Sequence, residues 1–329
     1  MINISLNVGS TYHYKEIVGL DDPHPFGCMI EVVANGLSTN IPLVSIVVPM
    51  FNKGEIICSI LESIVKNVSN SFELIVIDDC SSDQSLINVI NFLESKDFQF
   101  IILKASSPIF ETACDNVGFA LARGKFFLEI QSDIHIKEYG FDDRLKKVAS
   151  IPNIASVSGR CAHSWLSLYS KRMMAFKLLT YQIFKIRLRV GSLDVGMVNQ
   201  QIFEKTLPKS VNASSYYCGD TNNRGPWMLT ADNYFKFGPL DSDNFFLGGD
   251  DHFFNFKAGM SGLVAAYVPI RLETIAEEGS TRQKRFGLNK NIYDHMLKNK
   301  KGNRKLMLAL LFKRFNFIEE IKNFFEIRG

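Results

Sequence analysis

Three groups of acidic side chains stand out in this sequence: Asp78-Asp79, Asp133 with His135 two residues on, and Asp250-Asp251 followed by His252. Carboxylates supply hard oxygens suited to Mg2+ or Mn2+, or a base that takes a proton, and an imidazole adds a nitrogen donor. Each group also has a plain structural reading. Asp78 to Asp83 has the composition of a turn and helix cap. Asp250 and Asp251 could be two acids favoured by a helix N-terminus, and His135 a polar residue closing a strand. The choice depends on whether the chain brings the groups together.

The elements that would do so are legible from periodicity. Val44 to Pro49 is a β-branched apolar run, as expected of a strand buried on both faces. Ile56, Ile57, Ile60, Leu61, Ile64 and Val65 then line one face of a helix. The unit repeats as a strand from Phe72 to Ile77 and a helix running to Phe92, with Ser81 and Gln84 spaced as a capping box. A third strand, Phe98 to Leu103, leads to a helix near Thr112 to Arg123 stopped by Gly124, and Phe126 to Ile130 is a fourth. Such alternation implies βαβ units and a parallel sheet. Ligands collect at the carboxyl ends of such strands. Those ends are Pro49-Met50-Phe51-Asn52, Asp78-Asp79 and Gln131-Ser132-Asp133-Ile134-His135, which places three acids and an imidazole on one rim.

Residues 1–42 read as an irregular leader. Beyond residue 136 helices are expected at Phe141 to Ala149, Thr230 to Phe237 and Asp250 to Ala258, and strands near Ala155 to Ser158 and Leu263 to Val268.

The chain has 329 residues, 46% apolar and 22% charged, which fits a folded enzyme-sized protein and excludes a disordered or disulfide-stapled one. No apolar run reaches the roughly 18 to 20 residues that span a bilayer. The first residues lack a secretory signal pattern, so the expected compartment is the cytoplasm. The six cysteines show no zinc spacing and are expected as reduced thiols. Charge is divided: from Arg282 onward 13 Lys and Arg face 4 Asp and Glu, while the rest carries 24 against 30. Ser164 to Leu193 and Lys298 to Arg314 combine cations with apolar residues. Such segments lie on anionic membrane surfaces, pack as ordinary amphipathic helices or form dimer contacts. Nucleic-acid binding is not expected, because no recognised module is present and the remainder is acidic.

On its motifs the chain resembles a family 2 glycosyltransferase of the GT-A fold. Val44 to Asn52 is similar to that family's opening strand, Glu73 to Asp83 (ELIVIDDCSSD) to its paired-Asp segment, and Asn116-Val117-Gly118 with Ala122-Arg123-Gly124 to the stretch before its metal motif. Gly248 to His252 is similar to the motif holding the catalytic base. The similarity runs from about Leu43 to Lys257. It implies an α/β, Rossmann-like, mostly parallel sheet flanked by helices, with a fused acceptor-side half and a basic helical C-terminal tail. The divisions would be a leader (1–42), a nucleotide-sugar half (43–135), an acceptor half with the base (136–275), and a basic lid and tail (276–329).

The resemblance also implies roles. Pro49, Asn52, Asp78, Asp79 and Gln131 would bind the donor, with Asp79 facing the nucleobase; outside the resemblance, Arg282 lies in a segment, 278–285, whose small residues and cations have the composition of a lid over a diphosphate or of a solvated charge run. Asp133, with His135 as a further candidate, would hold Mn2+ or Mg2+. Gln131 stands where the family has an acid, and returning an aspartate there is expected to be tolerated. Asp251 would be the base and Asp250 its acidic partner, and Arg224 and Trp227, in a loop at Asn223 to Trp227, would shape the acceptor pocket. The implied reaction is inverting transfer from a nucleoside-diphosphate sugar, UDP favoured, to a hydroxyl of a glycan or glycolipid. A catalytically inactive domain that binds a nucleotide sugar or glycan is the alternative, and a nucleotidyltransferase a weaker third. A peripheral position at the inner face of a membrane and a homodimer are further expectations.

Overall fold

The computed structural model describes residues 6–21, 27–160, 216–219, 222–243, 245–274, 291 and 294. In chain order the elements are β1 (Thr11–His13), α1 (Tyr14–Val18), β2 (Met29–Asn35), β3 (Val44–Met50), α2 (Ile57–Asn67), β4 (Phe72–Asp78), α3 (Ser85–Glu94), β5 (Gln99–Ala105), α4 (Phe110–Leu121) and β6 (Phe126–Glu129). There follow β7 (Ile134–Ile136), α5 (Phe141–Ala149), β8 (Ile154–Arg160), β9 (Tyr217–Gly219), β10 (Asn223–Thr230), α6 (Ala231–Phe237), α7 (Asp250–Gly259), β11 (Val264–Tyr267) and β12 (Leu272–Thr274).

The heart of the sheet is the parallel set β5-β4-β3-β6. The chain winds outward from β3 through β4 to β5, then returns to lay β6 on the other side of β3. That reversal opens a crevice between the carboxyl ends of β3 and β6. Antiparallel strands extend the set on both flanks: β2 and β1 beyond β5, and β10 and β8 beyond β6.

Side-chain alternation explains the layers. In β3, Val44, Ile46, Val48 and Met50 face α2, α3 and α5, whereas Val47 faces α1, α4, α6 and α7. The expected apolar face of α2 is buried through Ile57, Ile60, Leu61 and Ile64. Gly118 of α4 is required by this packing, since a Cβ there would lie 2.4 Å from Val47 Cγ1.

Four expectations change. The leader contains β2, whose pairing with β5 makes it part of the sheet. The helix after β4 begins at Ser85, whose N–H donates to Asp83 Oδ1 at 2.9 Å, so Ser81 is not its cap. Gly124 does not stop α4, which ends at Leu121 with Ala122 as its cap; it is needed because a Cβ would meet Ser45 N at 2.8 Å. Asn223 to Trp227 is strand, not loop, with Trp227 paired to Glu129 and Ser158. The five described cysteines are free thiols.

Candidate active site

The rim is built by three loops tied to one another. Asn52, with a left-handed φ of 50°, donates its N–H to Ser81 Oγ at 2.9 Å and accepts Ser82 N–H on Oδ1 at 2.9 Å, joining the ends of β3 and β4. Pro49 lies within β3 opposite Ile77. Asp79 is 1% exposed, and its carboxylate accepts the N–H groups of Ile109 and Phe110 at 2.7 and 3.0 Å. Those are the entry residues of α4, and Phe110 also has a left-handed φ of 68°. Asp79 thereby secures the chain after β5. Asp78 is fully buried, and burial pushes its carboxyl up to about 6 despite hydrogen bonds from Ser81.

The acceptor-side acids converge on Arg224 of β10, a residue 3% exposed. Its Nη2 pairs with Asp115 Oδ2 and lies 2.6 Å from Asp250 Oδ2, and its Nη1 is 3.5 Å from Glu111 Oε1. Its backbone N–H donates to Asp251 Oδ2 at 2.9 Å. Glu111 and Asp115 stand four residues apart on α4, hence on one face. Glu129 ends β6 beside them, fully buried, and among the described residues neither of its side-chain oxygens has a hydrogen-bond partner. Burial pushes Glu129 and Asp115 well above the usual carboxylate range, outweighing the attraction of Arg224, and Asp250 rises to about 7 for the same reason. Burial opposes the charge on Arg224, but Asp115, Asp250, Glu111 and Glu129 more than compensate and hold its pKa well above normal.

Asp250 and Asp251 open α7, as the helix-start reading requires. Asp251 keeps an exposed edge, 5% against 0% for Asp250, and its Oδ1 accepts the His252 N–H at 2.7 Å. Gln131 follows β6, and its Nε2 donates to Glu111 Oε1 at 2.7 Å. Gly225, at φ +68°, lies beneath it, where a Cβ would come within 3.2 Å of Gln131 Cγ.

Three expectations are corrected by these contacts. Trp227 is fully buried among Phe119 and Phe254, with its indole N–H on Asn222 Oδ1, so it is core and presents no face to a sugar. Arg224 is enclosed by carboxylates and does not line a pocket. An aspartate at 131 would set a carboxylate against Glu111 instead of an amide donor, so it carries a repulsive cost. The sequence reading missed Glu111, Asp115 and Glu129. The spacing of Glu111 and Asp115 on one helix face was the available signal. Arg282, the lid segment at 278–285 and both basic segments lie outside the described residues.

The donor set for a cation is small. Among the described residues no group of three or more His, Cys, Asp and Glu side chains is placed to hold a metal. Asp133, partly exposed after β6, offers one carboxylate. His135 sits in β7 opposite Glu273, and burial with Lys137 lowers its pKa, which favours the neutral imidazole. Mg2+ and Mn2+ accept one carboxylate when phosphate oxygens and water complete the shell, so Asp133 fits that minimal role.

Comparison with known proteins follows the same outline. The family model for Glycosyl transferase family 2 matches residues 45–206, close to half of the chain. Residues 45–206 are a family 2 glycosyltransferase domain. It is 28% identical over 96 residues to "Glycosyltransferase GlyG" of Streptococcus pneumoniae, covering 29% of this chain and 32% of that protein. It is 25% identical over 112 residues to an "Uncharacterized glycosyltransferase" of Haemophilus influenzae, covering 34% and 36%. The chain thus matches about a third of the length of these curated relatives. Among solved structures, GalNAc-T7, crystallised with UDP, GalNAc and Mn2+, superposes with a TM-score of 0.52 at 16% identity, over 74% of this chain and 46% of that one. That likeness is one of fold, and the fold is GT-A.

Proposed function

We propose that this family member transfers a glycosyl group from a nucleoside-diphosphate sugar to an acceptor hydroxyl with inversion. The observation that carries the reading is the placement of Asp251. The head of α7 presents it beside Arg224 of β10, and β10 pairs with β6, the strand that leads to Gln131 and Asp133. Donor-side and acceptor-side groups therefore share one end of the sheet. The UDP and Mn2+ of the GalNAc-T7 structure are consistent with this use of the fold.

In this reading the donor lies across the crevice between β3 and β6, with Asp78, Asp79, Asn52 and Pro49 shaping the nucleotide end and Gln131 facing the sugar or ribose. Asp251 takes the acceptor's proton as its oxygen bonds to the anomeric carbon from the face opposite the diphosphate, which leaves with the electron pair of its bond. Asp133 would hold the Mn2+ or Mg2+, with His135 as a candidate second ligand; a cation there supplies Lewis-acid stabilisation of the diphosphate. The acceptor is a glycan or glycolipid hydroxyl.

The deciding experiment scores a panel of nucleotide sugars with Mn2+ and Mg2+ for transfer and for slow donor hydrolysis. Asp251→Asn should retain donor binding while losing on the order of a hundredfold or more in turnover, as expected for a removed general base. Asp133→Ala should lose metal-dependent donor binding. Donor binding by the wild type with no release of nucleoside diphosphate anywhere on the panel would favour the inactive binding domain.

A further inference from the structure

Arg224 is placed where no substrate reaches it, yet its contacts extend to both sides of the proposed reaction. Nη2 serves Asp115 of α4 and Asp250 of α7, Nη1 approaches Glu111, and the backbone N–H is bonded to Asp251. The same Glu111 oxygen accepts the Gln131 amide after β6. We propose that Arg224 is a positioning residue, fixing Asp250 and Asp251 at the head of α7 and, through Glu111, the side chain of Gln131. The inference rests on the reading of Asp251 as the base.

Stability alone does not account for the arrangement. One buried guanidinium needs one carboxylate partner, and a buried ion pair contributes little more than well-packed apolar side chains of the same volume. Here Glu111, Asp115, Glu129, Asp250 and Asp251 gather from three elements, leaving Asp115 Oδ1, Asp250 Oδ1 and both Glu129 oxygens buried without hydrogen-bond partners among the described residues. What the surplus does provide is geometry. A planar guanidinium with fixed donor directions sets the angle between α4 and the start of α7, which a lysine ammonium cannot reproduce. Burial of Arg224 means that any effect on the reaction acts through the acids it holds.

The test uses the full chain and the nucleotide sugar that the wild type hydrolyses. If the wild type releases nothing, the reading of the function fails before any variant is compared. Otherwise Arg224→Lys and Arg224→Met are measured for binding of the released nucleoside diphosphate with Mn2+ and for kcat per nucleotide-binding site. Expected are nucleotide affinity within about twofold of wild type and kcat lower by roughly tenfold for Lys and more for Met, the signature of a misplaced base. A purely structural role would reduce the number of binding sites and leave kcat per site unchanged, and that result would overturn the proposal. Should both variants fail to fold, Glu111→Ala replaces them, because Glu111 is partly exposed and its loss leaves Asp115 and Asp250 on Arg224. A severalfold fall in kcat/KM for the donor is then expected, and wild-type kcat/KM would refute the coupling to Gln131.

Discussion

Asp78 shows what it costs to bring acids to this rim. Its carboxyl is fully buried, and its pKa of about 6 in the folded chain compares with about 3.9 for an unperturbed aspartate. Between those values the folded protein holds a proton that the unfolded chain has lost. Stability from this group is therefore present at low pH, falls as the pH rises through roughly 4 to 6, and is gone above that window. Asp250 acts in the same direction up to about 7. Asp78→Asn should be more stable than wild type at pH 8, by about 1–3 kcal/mol for a two-unit shift, with little difference near pH 4. Urea unfolding across that range checks this, and equal stability at pH 8 would mean the carboxylate ionises without penalty. At this scale the sequence was informative about residue types and poor at their surroundings. It placed Asp250 and Asp251 at a helix start, which they occupy. It could not show that Asp79 secures the entry to α4, because the partners, Ile109 and Phe110, lie 30 residues away and use only backbone N–H groups.

Helix α4 connects more of the site than any strand. Thr112 Oγ1 donates to Phe245 O, and Asn116 pairs with both backbone groups of Leu240 at 2.8 Å. Gly118 then lets the helix lie against β3. Gly118→Ala should destabilise by about 1–3 kcal/mol through overpacking against Val47. Gly118→Ala combined with Val47→Ala should cost less than the sum of the single changes, since one opens the space the other fills. Denaturation of the four proteins of that cycle measures the coupling, and strict additivity would contradict the close approach. The elements themselves were largely legible: β3, α2, β4 and α5 follow apolar runs or periodic faces strong enough to mark them. Strand β10 was not, because Gly225 and Pro226 are strand-weakening residues, and only burial between β6 and β8 makes that segment extended. For β2, pairing with β5, 70 residues away, supplies what local pattern lacks.

Charge is divided unevenly along the chain. The last 48 residues carry a balance of +9 and the remainder −6. An acceptor on a lipid carrier would make surface attachment useful, since it confines enzyme and substrate to one plane. Each cation near an anionic surface contributes about 1 kcal/mol, fading over a Debye length of roughly 10 Å. We therefore expect salt-sensitive binding to phosphatidylserine vesicles, lost on removal of residues 298–329, with donor hydrolysis in solution retained. Cosedimentation at low and high salt measures it; a full chain that ignores such vesicles at low salt would point to a soluble acceptor.

The anchoring of Leu240 and Phe245 on α4 has a consequence for diversification. Asn116 grips the chain on one side of positions 241–244 and Thr112 on the other, and α7 with Asp251 follows after the second anchor. Both endpoints of the segment are therefore fixed to the same helix. Exposed Asp243 can be exchanged while the head of α7 stays in register with β6, whereas Ser242, buried and bonded to Tyr14, cannot be replaced freely. Change can then accumulate at that surface position over generations without moving the acids at the head of α7.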